Sequence, residues 1–123
     1  MRLWLGIAAV NGALAVVAGA FAAHGLSGHL PPDMLSVWET GARYHMYHAL
    51  AMGLAALAAE NNKEAGSRWS PKLFLAGIVL FCGSLYGLAL GGPIWLGPVT
   101  PLGGVLLIAG WVCLAISAFR KPA

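Results

Sequence analysis

Glu39-Thr40-Gly41-Ala42-Arg43-Tyr44-His45-Met46-Tyr47-His48, continuing without a break into the apolar run Ala49 to Ala59, is the stretch on which the fold of this chain turns. Glu39, Arg43, Tyr44, His45, Tyr47 and His48 are ionisable or polar aromatic residues. Taken alone, they describe a wet surface. Their setting says otherwise, because hydrophobic residues make up 59% of the chain and charged ones only 9%. The default solvent for most of this polypeptide is therefore lipid. A charge at bilayer depth costs roughly 2.5–3.5 kcal/mol on the insertion scale. The segment therefore marks either a functional site or the interior polar lock of a helical bundle.

Working outward, apolar runs near the length needed to cross the hydrocarbon core occur four times: residues 3–23, 35–59, 72–90 and 101–119. The expected fold class is all-α, a single-domain integral membrane four-helix bundle. Gly25 to Pro32 separates the first two spans and ends in Pro-Pro-Asp, which suits a helix start with Asp33 in the first turn. Asn61 to Pro71 is the strongly polar linker. Gly91-Gly92-Pro93 through Pro98 forms a tight connection leading to Thr100-Pro101, read as an N-cap followed by an N1 proline.

Four spans put both termini and the 61–71 linker on one side, with Arg2, Lys63, Arg68, Lys72, Arg120 and Lys121. The opposite loops carry neither Lys nor Arg. This asymmetry predicts an N-in, C-in topology in a bacterial inner (plasma) membrane, both termini cytoplasmic. It also explains the basic balance without invoking nucleic acid. Met1-Arg2, an apolar stretch and Ala20-Phe21-Ala22 resemble a signal peptide. The stretch is long for an h-region and is interrupted by Gly6, Asn11 and Gly12, so the first span is expected to be retained. Cys82 and Cys113 sit in apolar segments without a CxxC pattern and read as small hydrophobes.

Small residues recur with helical spacing. Ala8, Gly12, Ala15, Gly19 and Ala22 stripe the first span, Gly83, Gly87 and Gly91 the third, and Gly103, Gly110 and Ser117 the fourth. Such stripes admit close helix approach where lipid removes the hydrophobic drive. Trp4, Trp38, Trp69, Trp95 and Trp111 fall near the expected interfaces, as aromatic anchors do.

With that orientation, His24, Glu39, Thr40, Arg43, Tyr44, His45, Tyr47, His48, Ser84, Tyr86 and Thr100 gather in the outer half of the bundle, above a nearly apolar inner half. A polar vestibule open to the outside would satisfy them. Glu39 and Arg43 stand at i, i+4 with the acid N-terminal, the favourable order for a pair. His48 is placed near the midplane, with Tyr44, Ser84 or Tyr86 as candidate partners and His24 facing the same space. His45 and His48 at i, i+3 supply two nitrogens and no nearby thiolate, an unfinished ligand set. No metal and no cofactor are expected. A proton relay of histidine and carboxylate and a structural hydrogen-bonded network remain the alternatives.

The residues also carry a resemblance. Gly19-Ala20-Phe21-Ala22-Ala23-His24-Gly25-Leu26, Thr40 through Ala51, Phe81-Cys82-Gly83-Ser84-Leu85-Tyr86 with Leu88-Ala89-Leu90, and Val99-Thr100-Pro101-Leu102-Gly103-Gly104 with Gly110-Trp111 resemble the small membrane family named domain of unknown function 423. That family includes the YgdD-type proteins and transmembrane protein 256. The resemblance implies four transmembrane helices and no established activity. His45 stands where the family pattern usually has glutamine, and Ala22 where it usually has glycine. The shared histidines would then be His24 and His48.

Three functions compete. One is a non-enzymatic membrane protein that acts by association, as a homo-oligomer or as a subunit of a larger membrane complex. The second is a small-solute or proton carrier or channel using Glu39, Arg43 and His48, which needs a route past the apolar inner half. The third is a haem- or metal-binding subunit built on His24 and His48, which lacks a full ligand set and a paired acid and base. The first fits the small-residue faces and is the expectation carried forward.

Overall fold

The computed structural model of the chain describes residues 2–61 and 65–120, and the regular structure in them is entirely helical. Lys63 and Lys121, two of the charges behind the topology expected from sequence, lie outside the described residues. Helix α1 (Arg2–Phe21) runs into a π-helical turn (Ala22–Leu26). Helix α2 spans Pro32–Asn61. Helix α3 (Ala65–Gly77), a second π turn (Ile78–Cys82) and α4 (Gly83–Ala89) form one continuous rod. Helix α5 spans Leu96–Phe119.

Leu3–Leu26, Arg68–Ala89 and Leu96–Phe119 are each long and apolar enough to cross a membrane. Helix α2 is not among them, because the polar decapeptide lowers its hydropathy. It is nonetheless the most enclosed rod. Ala51, Met52 and Ala55 are wholly buried, and Ala42, His45, His48, Ala49, Ala56 and Ala59 are nearly so. It lies between α1 and the α3–α4 rod, so those two faces meet protein. Helix α5 packs along the α3–α4 rod and touches α2 only lightly, while α1 and α5 share no packed interface among the described residues. The outward faces carry Val10, Leu14, Val16 and Val17 on α1 and Leu102, Val105, Ile108 and Val112 on α5, all exposed. So much contiguous apolar surface suits lipid, not water.

The helix ends follow local chemistry. Pro32 opens α2 with Asp33 in its first turn, as expected. The α4 end is closed by Gly91 at φ +87°, with Gly92 N–H donating to the Gly87 carbonyl (2.7 Å) and Gly91 N–H to that of Leu88 (3.1 Å). Two starts differ from expectation. Helix α5 begins at Leu96, so Thr100 is not its N-cap and Pro101 lies inside the helix. Helix α3 begins at Ala65, so Pro71 lies inside rather than ending a linker. Pro101 is the sixth residue of α5 and Pro71 the seventh of α3, so each lies past the first turn and removes one ladder hydrogen bond.

Gly103 and Gly110 seat helices as their spacing suggested. A Cβ on Gly103 would fall on the backbone N and Cα of Phe81, and one on Gly110 would come within 2.7 Å of the Phe74 ring. Gly87 meets the side chain of Leu96, the first residue of α5. Gly12, Gly19 and Gly83 correct the expectation: nothing lies within 4 Å of a Cβ at these positions. Ala8, Asn11, Ala15, Ala18 and Ala22 form the buried side of α1, which turns Gly12 and Gly19 toward its edge. Gly41 and Gly77 are seats that the stripes did not reveal, against Tyr86 and Leu107 respectively.

Candidate functional site

The π turn continues the α1 rod to Leu26, and the turn over residues 27–31 reverses the chain, which sets α2 antiparallel to α1 with Asn11 level with His45. His45 is buried there, and both its ring nitrogens are engaged. Asn11 Nδ2 donates to the Ile7 carbonyl (2.9 Å), leaving Asn11 Oδ1 as acceptor for His45 Nε2–H (3.0 Å). His45 Nδ1 then accepts from the Tyr86 hydroxyl (3.1 Å). The chain Tyr86–His45–Asn11–Ile7 uses one ring proton and ties α1, α2 and α4 together. Asn11 was not among the residues singled out from sequence. A lone amide in an apolar span was the available signal.

His48 lies one turn further along. Its Nδ1–H donates to the Tyr44 carbonyl (2.7 Å), and its Nε2 accepts from the Trp111 indole N–H (3.1 Å). The Tyr44 partner is thus its backbone, not its hydroxyl. Ser84 and Tyr86, the other expected partners, are used elsewhere. Trp111 was read as an interfacial anchor, yet its indole is half of this bond and packs edge-on against Phe74 (5.2 Å). The His48 ring lies over Tyr44 at 6.0 Å. An imidazole with both nitrogens spent is neither an open metal ligand nor a free base.

A third set joins the α3–α4 rod to α5. The Ser84 hydroxyl donates to the Phe81 carbonyl (2.9 Å) and so accepts from Thr100 (2.6 Å). Lower down, buried Ser70 donates to the Gly110 carbonyl (2.9 Å), a polar contact in the half expected to be apolar. Trp38 also departs from its expected anchoring role. It is buried, donates from Nε1 to the Ala18 carbonyl (2.8 Å) and packs against Tyr86 at 4.5 Å.

The sequence-predicted residues therefore separate into bonded sets instead of lining one vestibule. His45 and Tyr86 share one, His48 and the Tyr44 backbone a second, Ser84 and Thr100 a third. His24 lies exposed on the first π turn. Glu39 and Arg43 are exposed and form no ion pair. Arg43 Nη2 donates instead to Thr40 Oγ1 (3.3 Å). At an exposed i, i+4 position a pair offers little to offset the side-chain entropy of holding it. Glu39, Arg43 and His48 thus do not converge. Among the described residues, no group of three or more His, Cys, Asp or Glu side chains could hold a metal ion. Cys82 is buried in the core and Cys113 half-buried, both as free thiols.

Comparison with known proteins adds the family context. The family model described as protein of unknown function (DUF423) matches residues 18–104. The UPF0382 membrane protein YwdK of Bacillus subtilis (strain 168) is 45% identical over 121 residues, covering 98% of each chain. UPF0382 membrane proteins of Staphylococcus aureus (strain bovine RF122 / ET3-1) and Staphylococcus epidermidis (strain ATCC 35984) are 42% and 41% identical over 120 residues, again covering 98% of each chain. No solved structure matches the chain.

Proposed function

The chain belongs to the family described as protein of unknown function (DUF423), and from that premise we propose that it is a four-span plasma-membrane protein acting by association and not by catalysis. Helix α2 is the fourth span. Its 30 residues extend about 45 Å at 1.5 Å per residue, well beyond a hydrocarbon core of about 30 Å. Exposed Arg68, Lys72 and Arg120 then fall on the cytoplasmic side, with both termini.

The observation that carries this reading is where polar capacity has been spent. Among the described residues no buried side-chain nitrogen or oxygen lacks a hydrogen-bond partner. The polar groups of the core hold helices together, which leaves none free to bind or turn over a substrate. One face that stays open is built of small residues. Gly12 and Gly19 meet nothing, and a shallow groove of about 220 Å³ runs between α1 and α2, lined by Ala8, Ala9, Gly12, Ala49 and Gly53 among others. A helix of a second copy, or of a larger complex, would approach there to backbone distance.

Native mass spectrometry in mild detergent tests this. The wild type is expected as an oligomer or with a co-purifying membrane protein, and Gly12→Leu as a monomer with unchanged thermal stability. A wild type that is monomeric and partner-free sinks the proposal. Topology is tested separately with Cys82 and Cys113 replaced. Cysteines at Ser27 or Ile94 should be blocked by an impermeant outside reagent, and one at Asn62 should not.

A further inference from the structure

Where α2 and α5 barely touch, a groove of about 570 Å³ opens sideways toward the lipid-facing surface. Its volume falls within the roughly 300–1,000 Å³ range of ligand clefts. Tyr44, Tyr47 and His48 form one wall, Leu107, Ile108 and Trp111 the other. The second π turn brings in Phe81 as the floor, and Gly104 adds no side chain to close the end level with Tyr44. The walls hold one another in place: the Tyr44 ring lies 5.0 Å from Phe81 and 5.7 Å from Tyr47, and His48 is pinned by the Trp111 indole. A groove fixed in this way binds without first ordering its own side chains.

Beside this apolar groove, next in sequence to Tyr44 of its wall, stands a cation. Arg43 precedes Tyr47 by one turn, and its bond to Thr40 turns the guanidinium toward the N-terminus of α2, on the side of the helix that bears Tyr44. It has no carboxylate partner, since Glu39 does not pair with it. An arginine bordering lipid without an acid takes its counter-charge from the phosphate layer, and a planar guanidinium matches a phosphate in two-point contact. The Tyr44 and Tyr47 hydroxyls make no hydrogen bond among the described residues. They are donors of the kind that a glycerol ester carbonyl accepts.

We infer that this groove is a binding site for an anionic phospholipid, with Arg43 on the phosphate and one acyl chain lying between α2 and α5 along Phe81. The inference rests on the reading of α2 as a membrane span. The occupant is a lipid of the surrounding bilayer, because the groove opens to the side and Arg43 stands nearer the start of α2 than every α2 residue that lines it.

The test is native mass spectrometry of the purified protein in detergent with equimolar dioleoyl phosphatidylglycerol and dioleoyl phosphatidylcholine. Phosphatidylglycerol should be retained about fivefold over phosphatidylcholine, the preference that one basic side chain at an anionic surface supplies. Arg43→Gln should erase the preference. Ile108→Trp, which fills the groove from an exposed position, should lower retention of both lipids. Lys72→Gln removes a positive charge nine residues before Phe81 along the α3–α4 rod, over the Trp69 ring, and should change neither. Equal retention of the two lipids by the wild type overturns the inference without any variant. So does a preference that survives Arg43→Gln, or retention unchanged by Ile108→Trp. Loss of the lipid preference with normal cysteine labelling at Asn62 and Ile94 rejects the lipid site alone, whereas reversed labelling rejects the spanning topology.

Discussion

The seam between α1 and α2 and the seam between the α3–α4 rod and α5 are built of different materials. In the first, alanines line the α1 side: Ala8, Ala15 and Ala18 of α1 and Ala22 of the π turn are buried, and a Cβ on Gly53 would meet the Ala8 methyl at 3.9 Å. Methyl groups set that spacing, and the hydrogen bonds from His45 to Asn11 and from Trp38 to the Ala18 carbonyl lock it. In the second, glycines admit bulk. Phe81, Phe74 and Leu107 lie against Gly103, Gly110 and Gly77 closely enough to exclude a Cβ. Lipid offers helices no hydrophobic reason to associate, and the two seams weight the two available routes differently: side-chain hydrogen bonds lock the first, whereas glycine-seated close contact sets the second, beside the Ser84–Thr100 and Ser70–Gly110 bonds. They should therefore fail in different ways.

The largest effect is expected at Gly103. A Cβ there collides with backbone atoms of Phe81, which no rotamer change can relieve, so Gly103→Val should cost more than about 4 kcal/mol and abolish recovery of monodisperse protein in mild detergent. Gly110→Ala meets the Phe74 ring instead, which can shift. It should give a folded protein with a lowered melting temperature, typically by about 1–3 kcal/mol of overpacking. If Gly103→Ala melts no lower than Gly110→Ala, backbone contact is not what holds the second seam.

The first seam should break by subtraction. His45→Leu leaves Asn11 Oδ1 and the Tyr86 hydroxyl buried without partners, at about 1–3 kcal/mol for each orphaned group. His45→Gln keeps a donor and an acceptor and should recover most of that loss. In thermal unfolding, the pair His45→Leu and Asn11→Leu should cost clearly less together than the sum of the single changes. Additive losses would mean that the bond does not couple α1 to α2.

Trp111→Phe probes the contact between α5 and α2, because it keeps a ring against Phe74 on the second seam and removes only the N–H donated to His48 of α2. A loss of about 0.5–1.5 kcal/mol is expected, the net worth of one hydrogen bond. A loss approaching that of Gly110→Ala would show that the seat of α5 depends as much on its one bond to α2 as on its glycine contacts with the rod.

Much of this was open to reading and some was not, for physical reasons. The rods are legible because lipid demands long apolar runs with turn residues between them, and Gly91 and Pro32 mark ends that local chemistry dictates. Gly103 and Gly110 are legible by heptad spacing. Gly12, Gly19 and Gly83 have equally good spacing, but a stripe states only that a helix could approach, not that one does. Pairing in the polar sets was illegible for a related reason. His48 could reach Tyr44, Ser84, Tyr86 or Trp111, and only the placement of α5 against the α3–α4 rod decides for Trp111. Trp38 was misread because an indole near a helix end suits an interface or a core equally well. The Ala18 carbonyl that claims it lies twenty residues away in sequence.

The smallest effect is expected at Gly12, and it discriminates most sharply. In the chain by itself nothing lies within 4 Å of a Cβ at Gly12, so Gly12→Ala adds a methyl to open space. Alanine also removes some backbone freedom from the unfolded helix, a gain that works against any loss. In a detergent that keeps the protein monomeric, its stability should stay within about 0.5 kcal/mol of wild type, as for substitutions away from packed features. In a mild detergent that preserves association, the same methyl should stand between α1 and whatever helix approaches it. Dissociation should then begin at lower detergent excess while the melting temperature of the monomer is unchanged. A Gly12→Ala monomer destabilised as much as Gly110→Ala would place Gly12 in a seam of the chain itself. The distinction between glycines that pack this fold and glycines held open for a partner would then collapse.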